Sequence, residues 1–184
     1  MTEVTELLAA ARAGGEPAIG RLFELLYPEL SRIARARLRQ VDQRMMLDTV
    51  ALVNETYLRL LKLNQLSLQD RPHFLAYSAR VMRSVIVDLA RSLQVERRGG
   101  EMAFVTLDTA ADCMPSRTDE VVEVHEALLD LERIEPRLTR VVEMRYFVGM
   151  ECAEIAQALG VGLRTVERDW EKARGFLYHA LNAR

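Results

Sequence analysis

Arg164, Arg168 and Lys172 recur at every fourth position near the end of the chain, which on a helix makes one stripe of cations. Thr165 and Glu167 stand beside them. Such a set suits the reading of a duplex edge. A guanidinium can fork onto guanine O6 and N7, a lysine or threonine can hold phosphates, and a carboxylate can accept from cytosine N4. The stripe belongs to Glu154–Lys172, EIAQALGVGLRTVERDWEK. In it Ile155, Ala156 and Leu159 give one helix an apolar face, and Gly160-Val161-Gly162 makes a tight break. Val166, Trp170 and Ala173 then repeat at helical spacing on a second helix. This is the pattern of a helix-turn-helix whose second helix enters a major groove. A plain helical hairpin with a charged surface fits the same residues. Trp170 lies on the apolar period and reads as core. Gly162 holds the cap position without a side chain to cap it.

Other chemistry finds little footing. The histidines, His73, His125 and His179, are far apart. His125-Glu126 begins like a zinc-protease HExxH, but Leu129 stands where the second histidine belongs. There is no phosphate-cradling glycine loop and no nucleophile elbow. Cys113 and Cys152 are isolated, so neither a disulfide framework nor a four-ligand zinc site is expected. The sequence therefore predicts no enzyme, no cofactor and no metal, and a reduced, cytoplasmic setting. No apolar run approaches the roughly 20 residues of a membrane span, and the acidic start lacks the basic region of a secretory signal.

The elements that would position these groups are helical. Few Gly, Pro and aromatic residues among abundant Ala, Leu, Arg and Glu predict an all-α chain of two small helical domains. Ile19, Leu22, Phe23, Leu26, Leu30, Ile33, Ala34 and Leu38 follow a 3.6-residue period, with a kink or break expected near Pro28. Its polar side ends in Arg32, Arg35, Arg37 and Arg39. From Asp48 to Leu63, Val50, Val53, Tyr57, Leu60 and Leu61 form the expected buried stripe, with Ala51, Glu55, Arg59 and Lys62 opposite. A third helix starts with Asp70 as cap and Pro72 in its first turn. Phe74, Tyr77, Val81, Val85 and Leu89 form its core side. Arg80, Arg83, Ser84 and Arg91 line another face, and the helix runs out at Arg97-Arg98-Gly99-Gly100. Periodicity vanishes over residues 100–118 and resumes at about Asp119. The expected division is a domain over 1–99, a linker over 100–118 and a domain over 119–184 that carries the helix-turn-helix.

The overall charge of −2 hides a segregation. Residues 15–97 hold 13 Lys and Arg against 9 Asp and Glu, residues 98–135 hold 3 against 10, and residues 136–184 hold 8 against 6. Two mildly basic blocks flank an acidic one. A DNA-coating protein would be basic throughout. The segregation leads to the expectation of two places that meet DNA, with a middle that avoids phosphates or competes with them.

The order and spacing of LDTVALVNETYLRLLKL (Leu47–Leu63), FLAYSARVMRSVIVDLARS (Phe74–Ser92), the Arg97–Gly100 stop and YFVGMECAEIAQALGVGLRTVERDWEKAR (Tyr146–Arg174) resemble the extracytoplasmic-function (ECF) sigma factors of the sigma-70 family. The resemblance spans almost the whole chain. It implies a specificity subunit of bacterial RNA polymerase whose partners are core polymerase, through clamp and flap, and promoter DNA. The first domain would bind the clamp through Asp48, Ala51, Asn54, Glu55 and Arg59. It would melt the −10 element with Arg71, His73, Arg80, Arg83, Ser84 and Arg91. The second domain would read the −35 element with Arg164, Thr165, Glu167, Arg168 and Lys172. Opening a duplex needs a place for unstacked bases, and cationic and small polar side chains beside a loop provide one. His73 is either a stacking partner or a solvated neighbour of the cap. Asp88 is expected to order the arginines by salt bridges. Asp108, Asp112, Asp119 and Glu120 would either imitate nucleic acid or serve solubility alone.

The resemblance is imperfect at Ala51-Leu52-Val53-Asn54-Glu55, where the family often carries more carboxylates. A phosphate on Thr49 or Thr56 would restore negative charge, so a Ser/Thr kinase, beside an anti-sigma factor, is a further class of partner to test. Two rivals stand: a stand-alone helix-turn-helix regulator that binds operators without polymerase, and a sigma-like decoy that never opens DNA.

Overall fold

The structure, a computed structural model, describes residues 3–13, 16–39, 47–62, 69–99 and 117–183. Among these residues the fold is all-α: α1 (Glu3–Arg12), α2 (Glu16–Leu38), α3 (Thr49–Leu61), α4 (Arg71–Gly99), α5 (Arg117–Ile134), α6 (Pro136–Val142), a π-helical turn (Glu143–Val148), α7 (Cys152–Leu159) and α8 (Leu163–Asn182). Asp108 and Asp112, assigned to an acidic linker, lie outside the described residues. Asp119 and Glu120 belong to the first turn of α5.

The apolar stripe of α2 is buried as its period predicts, with Leu22, Leu30 and Ala34 fully enclosed. The helix continues through Pro28 instead of breaking there. Leu26 and Leu30, two positions to either side of that proline, are both buried. Phe23 meets Tyr57 of α3 edge-on at 5.0 Å and Phe74 of α4 at 5.7 Å, so one aromatic cluster ties three helices. In α3 the buried side is Leu52, Val53, Thr56 and Leu60, whereas Val50 is 52% exposed. The inward face is thus rotated from the expected one.

Asp70 caps α4, its Oδ1 accepting from the His73 amide at 2.9 Å. Pro72 lies in the first turn, where its missing N–H is no loss. The helix is described as far as Gly99, and the expected stop at Gly100 lies outside the described residues. Its interior differs most from expectation. Tyr77, Val81 and Leu89 are only half-buried, while Leu75, Ala79, Met82, Ile86, Val87 and Ala90 are buried with Phe74 and Val85. Apolar residues surround this helix because α2 and α3 pack on one side and α5, the π-turn and α7 on another. A single hydrophobic core runs through both halves.

After α6 the backbone widens into the π-turn and stops at Gly149, with φ 85°. Glycine accepts that left-handed conformation without the Cβ penalty. Gly160, with φ 65°, ends α7 in the same way.

Candidate nucleic-acid interface

Three residues, Gly160-Val161-Gly162, separate α7 from α8. The Val161 amide donates back to the Ala156 carbonyl at 3.0 Å, and Gly162 precedes α8 without a side-chain cap. The rotation of α8 is set by what it buries. Val166 and Ala173 are fully enclosed, and so is Asp169. Arg137 of α6 grips the Asp169 carboxylate, Nε donating at 2.6 Å and Nη2 at 3.3 Å. That carboxylate raises the arginine pKa above its ordinary value through the hydrogen bond. Trp170 is half-buried, with the Arg145 guanidinium 5.8 Å from its ring. With one side fixed, Arg164, Glu167, Arg168 and Lys172 are exposed and Thr165 is half-buried. No ion pair engages those four charges within the described residues.

The groups on and beside α4 are in a different state. Arg71 donates to Glu29 at 2.6 Å, and the His73 ring meets Asp70 at 2.8 Å. Arg80 forks onto both oxygens of Glu132 at 2.6 and 2.7 Å. Arg83 donates to Glu143 at 3.2 Å, and Arg91 lies 3.5 Å from Glu126. Ser84 accepts from Arg59 at 3.3 Å. Arg80, Arg83 and Arg91 thus point at acids of α5 and the π-turn. Asp88 pairs with Arg59 of α3 at 2.7 Å; the expectation that it orders the α4 arginines is corrected to that.

The π-turn closes around two arginines. The Arg83 and Glu143 side chains are only 5% and 6% exposed. The Phe147 ring lies under Arg37 at 4.4 Å and under Arg83 at 5.1 Å. Arg37 also donates to the Tyr146 carbonyl at 3.1 Å, and Arg32 reaches the Val148 carbonyl at 3.4 Å. Burial pushes the Glu143 carboxyl up, against the pull of Arg83 and Arg80, and pushes the Arg83 guanidinium down. Nearby His125 falls to about 4, through burial first and then through Arg83 and Arg91.

A family model described as ECF sigma factor matches residues 1–183. The chain belongs to the ECF sigma factor family. ECF sigma factors direct RNA polymerase to promoters; they are DNA-binding initiation factors, not enzymes. No curated protein and no solved structure matches the chain. Among the described residues of this sigma factor, no helix is long and apolar enough to cross a membrane, and no three His, Cys, Asp or Glu residues group to hold a metal.

The α3 residues nominated for polymerase separate into two sets. Asp48 is the helix cap, accepting from the Ala51 amide at 2.7 Å, and Ala51 and Asn54 are exposed. Glu55 and Arg59 are bonded to each other at 3.1 Å, and Arg59 is further held by Asp88. Val50 and Leu58, each about half exposed, share the outer surface. Thr56 is fully buried and donates to the Leu52 carbonyl at 2.7 Å, so the folded sigma factor has no room for a phosphate there. Thr49 opens the first turn.

Sequence reasoning missed Glu126, Glu132, Glu143 and the Arg137–Asp169 pair. The charge segregation carried a trace of Glu126 and Glu132, since the acidic block supplies these partners to the basic one; Glu143 lies outside that block. The last pair joins positions 32 apart and left no local signal.

Proposed function

We propose that this sigma factor works in the cytoplasm as two promoter-reading units on core polymerase, residues 1–99 serving the −10 element and residues 119–184 the −35 element. The α8 stripe would enter the major groove. Arg164 and Arg168 would read base edges, Lys172 and Thr165 would hold phosphates, and Glu167 would discriminate at cytosine. Arg71, His73, Arg80, Arg83, Ser84 and Arg91 would hold the melted −10 strand. The outer face of α3, with Asp48, Ala51 and Asn54 beside Val50 and Leu58, would dock on the clamp. The observation that carries the reading is the outward set Arg164, Glu167, Arg168 and Lys172, in no ion pair among the described residues, on a helix whose opposite side is locked by Asp169.

Where extra negative charge at the clamp face is needed, Thr49 is the position for it. A phosphate in the first turn of a helix is favoured by the backbone amides, and a Ser/Thr kinase would be the partner. Thr56 is withdrawn from that role by its burial.

Run-off transcription with core polymerase and genomic fragments tests the proposal. Promoter-specific transcripts are expected with core polymerase, and weak duplex binding by the chain alone. Arg164→Ala should relax specificity at one promoter position at a cost of about 1–3 kcal/mol, while Lys172→Ala should weaken binding uniformly and lower the salt slope by about 1. Tight binding of a symmetric duplex site without polymerase would favour the stand-alone regulator. Polymerase binding without transcripts would favour the decoy.

A further inference from the structure

Leu163 opens α8 with a branched apolar side chain that is 45% exposed. Among the described residues it is neither part of the hydrophobic core nor packed against it. The other large hydrophobic residue exposed on this helix, Tyr178, lies about four turns further on. By helical register Leu163 borders the exposed charged face, with Arg164 next in the chain and Glu167 one turn on. Gly162, just before it, has no side chain to screen it. In a helix-turn-helix the first residues of the second helix are those that reach base edges. Arg164 and Glu167 bring hydrogen-bonding groups there, whereas Leu163 brings only methyl groups. In the major groove one feature answers an apolar side chain, the 5-methyl of thymine. Donors and acceptors of the other base edges would lose water to leucine and gain no partner.

We infer that Leu163 reads a thymine of the −35 element through its 5-methyl group, at a base pair beside those met by Arg164 and Glu167. The inference rests on the −35 reading of α8 and adds a base identity to it. It gives an uncharged residue a share of specificity that the cationic stripe does not supply, because guanidinium and ammonium groups favour guanine and phosphate. Part of the Leu163 side chain and one thymine methyl leave water together, so the contact separates thymine from the same base without its methyl by about 3- to 5-fold.

The test uses holoenzyme assembled from core polymerase and the full chain, on a fluorescent duplex that carries a promoter recovered by run-off. Each thymine of its −35 element is replaced in turn by deoxyuridine, which deletes the methyl and keeps every hydrogen-bonding group. Anisotropy titration of wild type at fixed salt is expected to show one position where uridine weakens binding about 3- to 5-fold. Leu163→Ala should bind the thymine duplex more weakly by a similar factor, and should bind the uridine duplex no worse than the thymine one. Alanine is a good helix former and the site is about half exposed, so this variant keeps α8. Arg164→Ala should bind more weakly overall yet retain the full uridine penalty, which separates the two neighbours. A merely structural role for Leu163 would lower affinity for both duplexes alike and leave the penalty in place. That result overturns the inference, as does a wild type indifferent to every uridine, or a −35 element without thymine. If promoter-specific transcripts appear but any of these three results is found, the sigma reading stands and the role of Leu163 falls. If no promoter-specific transcript appears, the sigma reading itself falls and takes the inference with it.

Discussion

Glu143→Ala gives the most direct measure of what holds the two halves together. Among the described residues its carboxylate is the one in ion-pair contact with Arg83, 3.2 Å away, and both side chains are about 95% enclosed. Removing it strands a guanidinium that already has two unpartnered nitrogens. Breaking a buried pair from one side costs about 3–5 kcal/mol, a large part of the 5–15 kcal/mol a typical domain possesses. The companion expectation separates the pair's worth from the penalty of a lone charge. Arg83→Met/Glu143→Leu replaces both by apolar groups of similar size and should lie within about 1 kcal/mol of wild type, or above it. Urea unfolding followed by circular dichroism gives the global transition. Fluorescence of Trp170, the single tryptophan, reports the α8 region separately. Non-coincident curves would mean that the halves unfold in sequence, and the loss would then be read on the first transition. A loss below about 1 kcal/mol for Glu143→Ala, or a double variant as unstable as the single one, refutes a buried, coupled pair.

Further outcomes are expected. His125 has its pKa lowered from 6.5 to about 4 in the fold, so the unfolded chain binds more protons between those values. Stability is then complete above pH 6.5 and is lost as pH falls towards 4. The difference between urea midpoints of wild type and His125→Gln across that window should show this slope; parallel curves would refute it. Glu143, raised by burial, acts in the opposite sense and is common to both proteins. Asp169→Ala frees Arg137, which is partly exposed and can regain water; a stability loss of about 1–3 kcal/mol and weaker −35-dependent transcription are expected, checked by melting and run-off assays. Thr56→Asp should unfold α3 and abolish polymerase binding, whereas Thr49→Asp should be tolerated, as circular dichroism and pull-down on core polymerase would register.

Local features were legible in the sequence because they depend on neighbours. The α2 stripe, the Asp70 cap and the turn at Gly160 each follow from spacing within one or two turns. The α3 face was misread because a short helix with apolar residues at Val50, Leu52, Val53 and Tyr57 supports more than one rotation. The second buried side of α4 had a signal in FLAYSARVMRSVIVDLA, where apolar residues occupy every direction, as in a helix enclosed all round. Arg83 could not be recognised as buried, since the carboxylate that makes burial tolerable is 60 positions away. The π-turn has no local pattern that distinguishes it from continued α6. In the α8 site the exposed side was readable, but the Asp169 anchor was not.

Because α4 is a wall shared by two rooms, damage to it has two unrelated meanings. Under the proposed function a substitution at Arg80 or Arg83 would remove a contact to DNA, and it also breaks a pair that seats the neighbouring half; a loss-of-activity screen cannot separate the two.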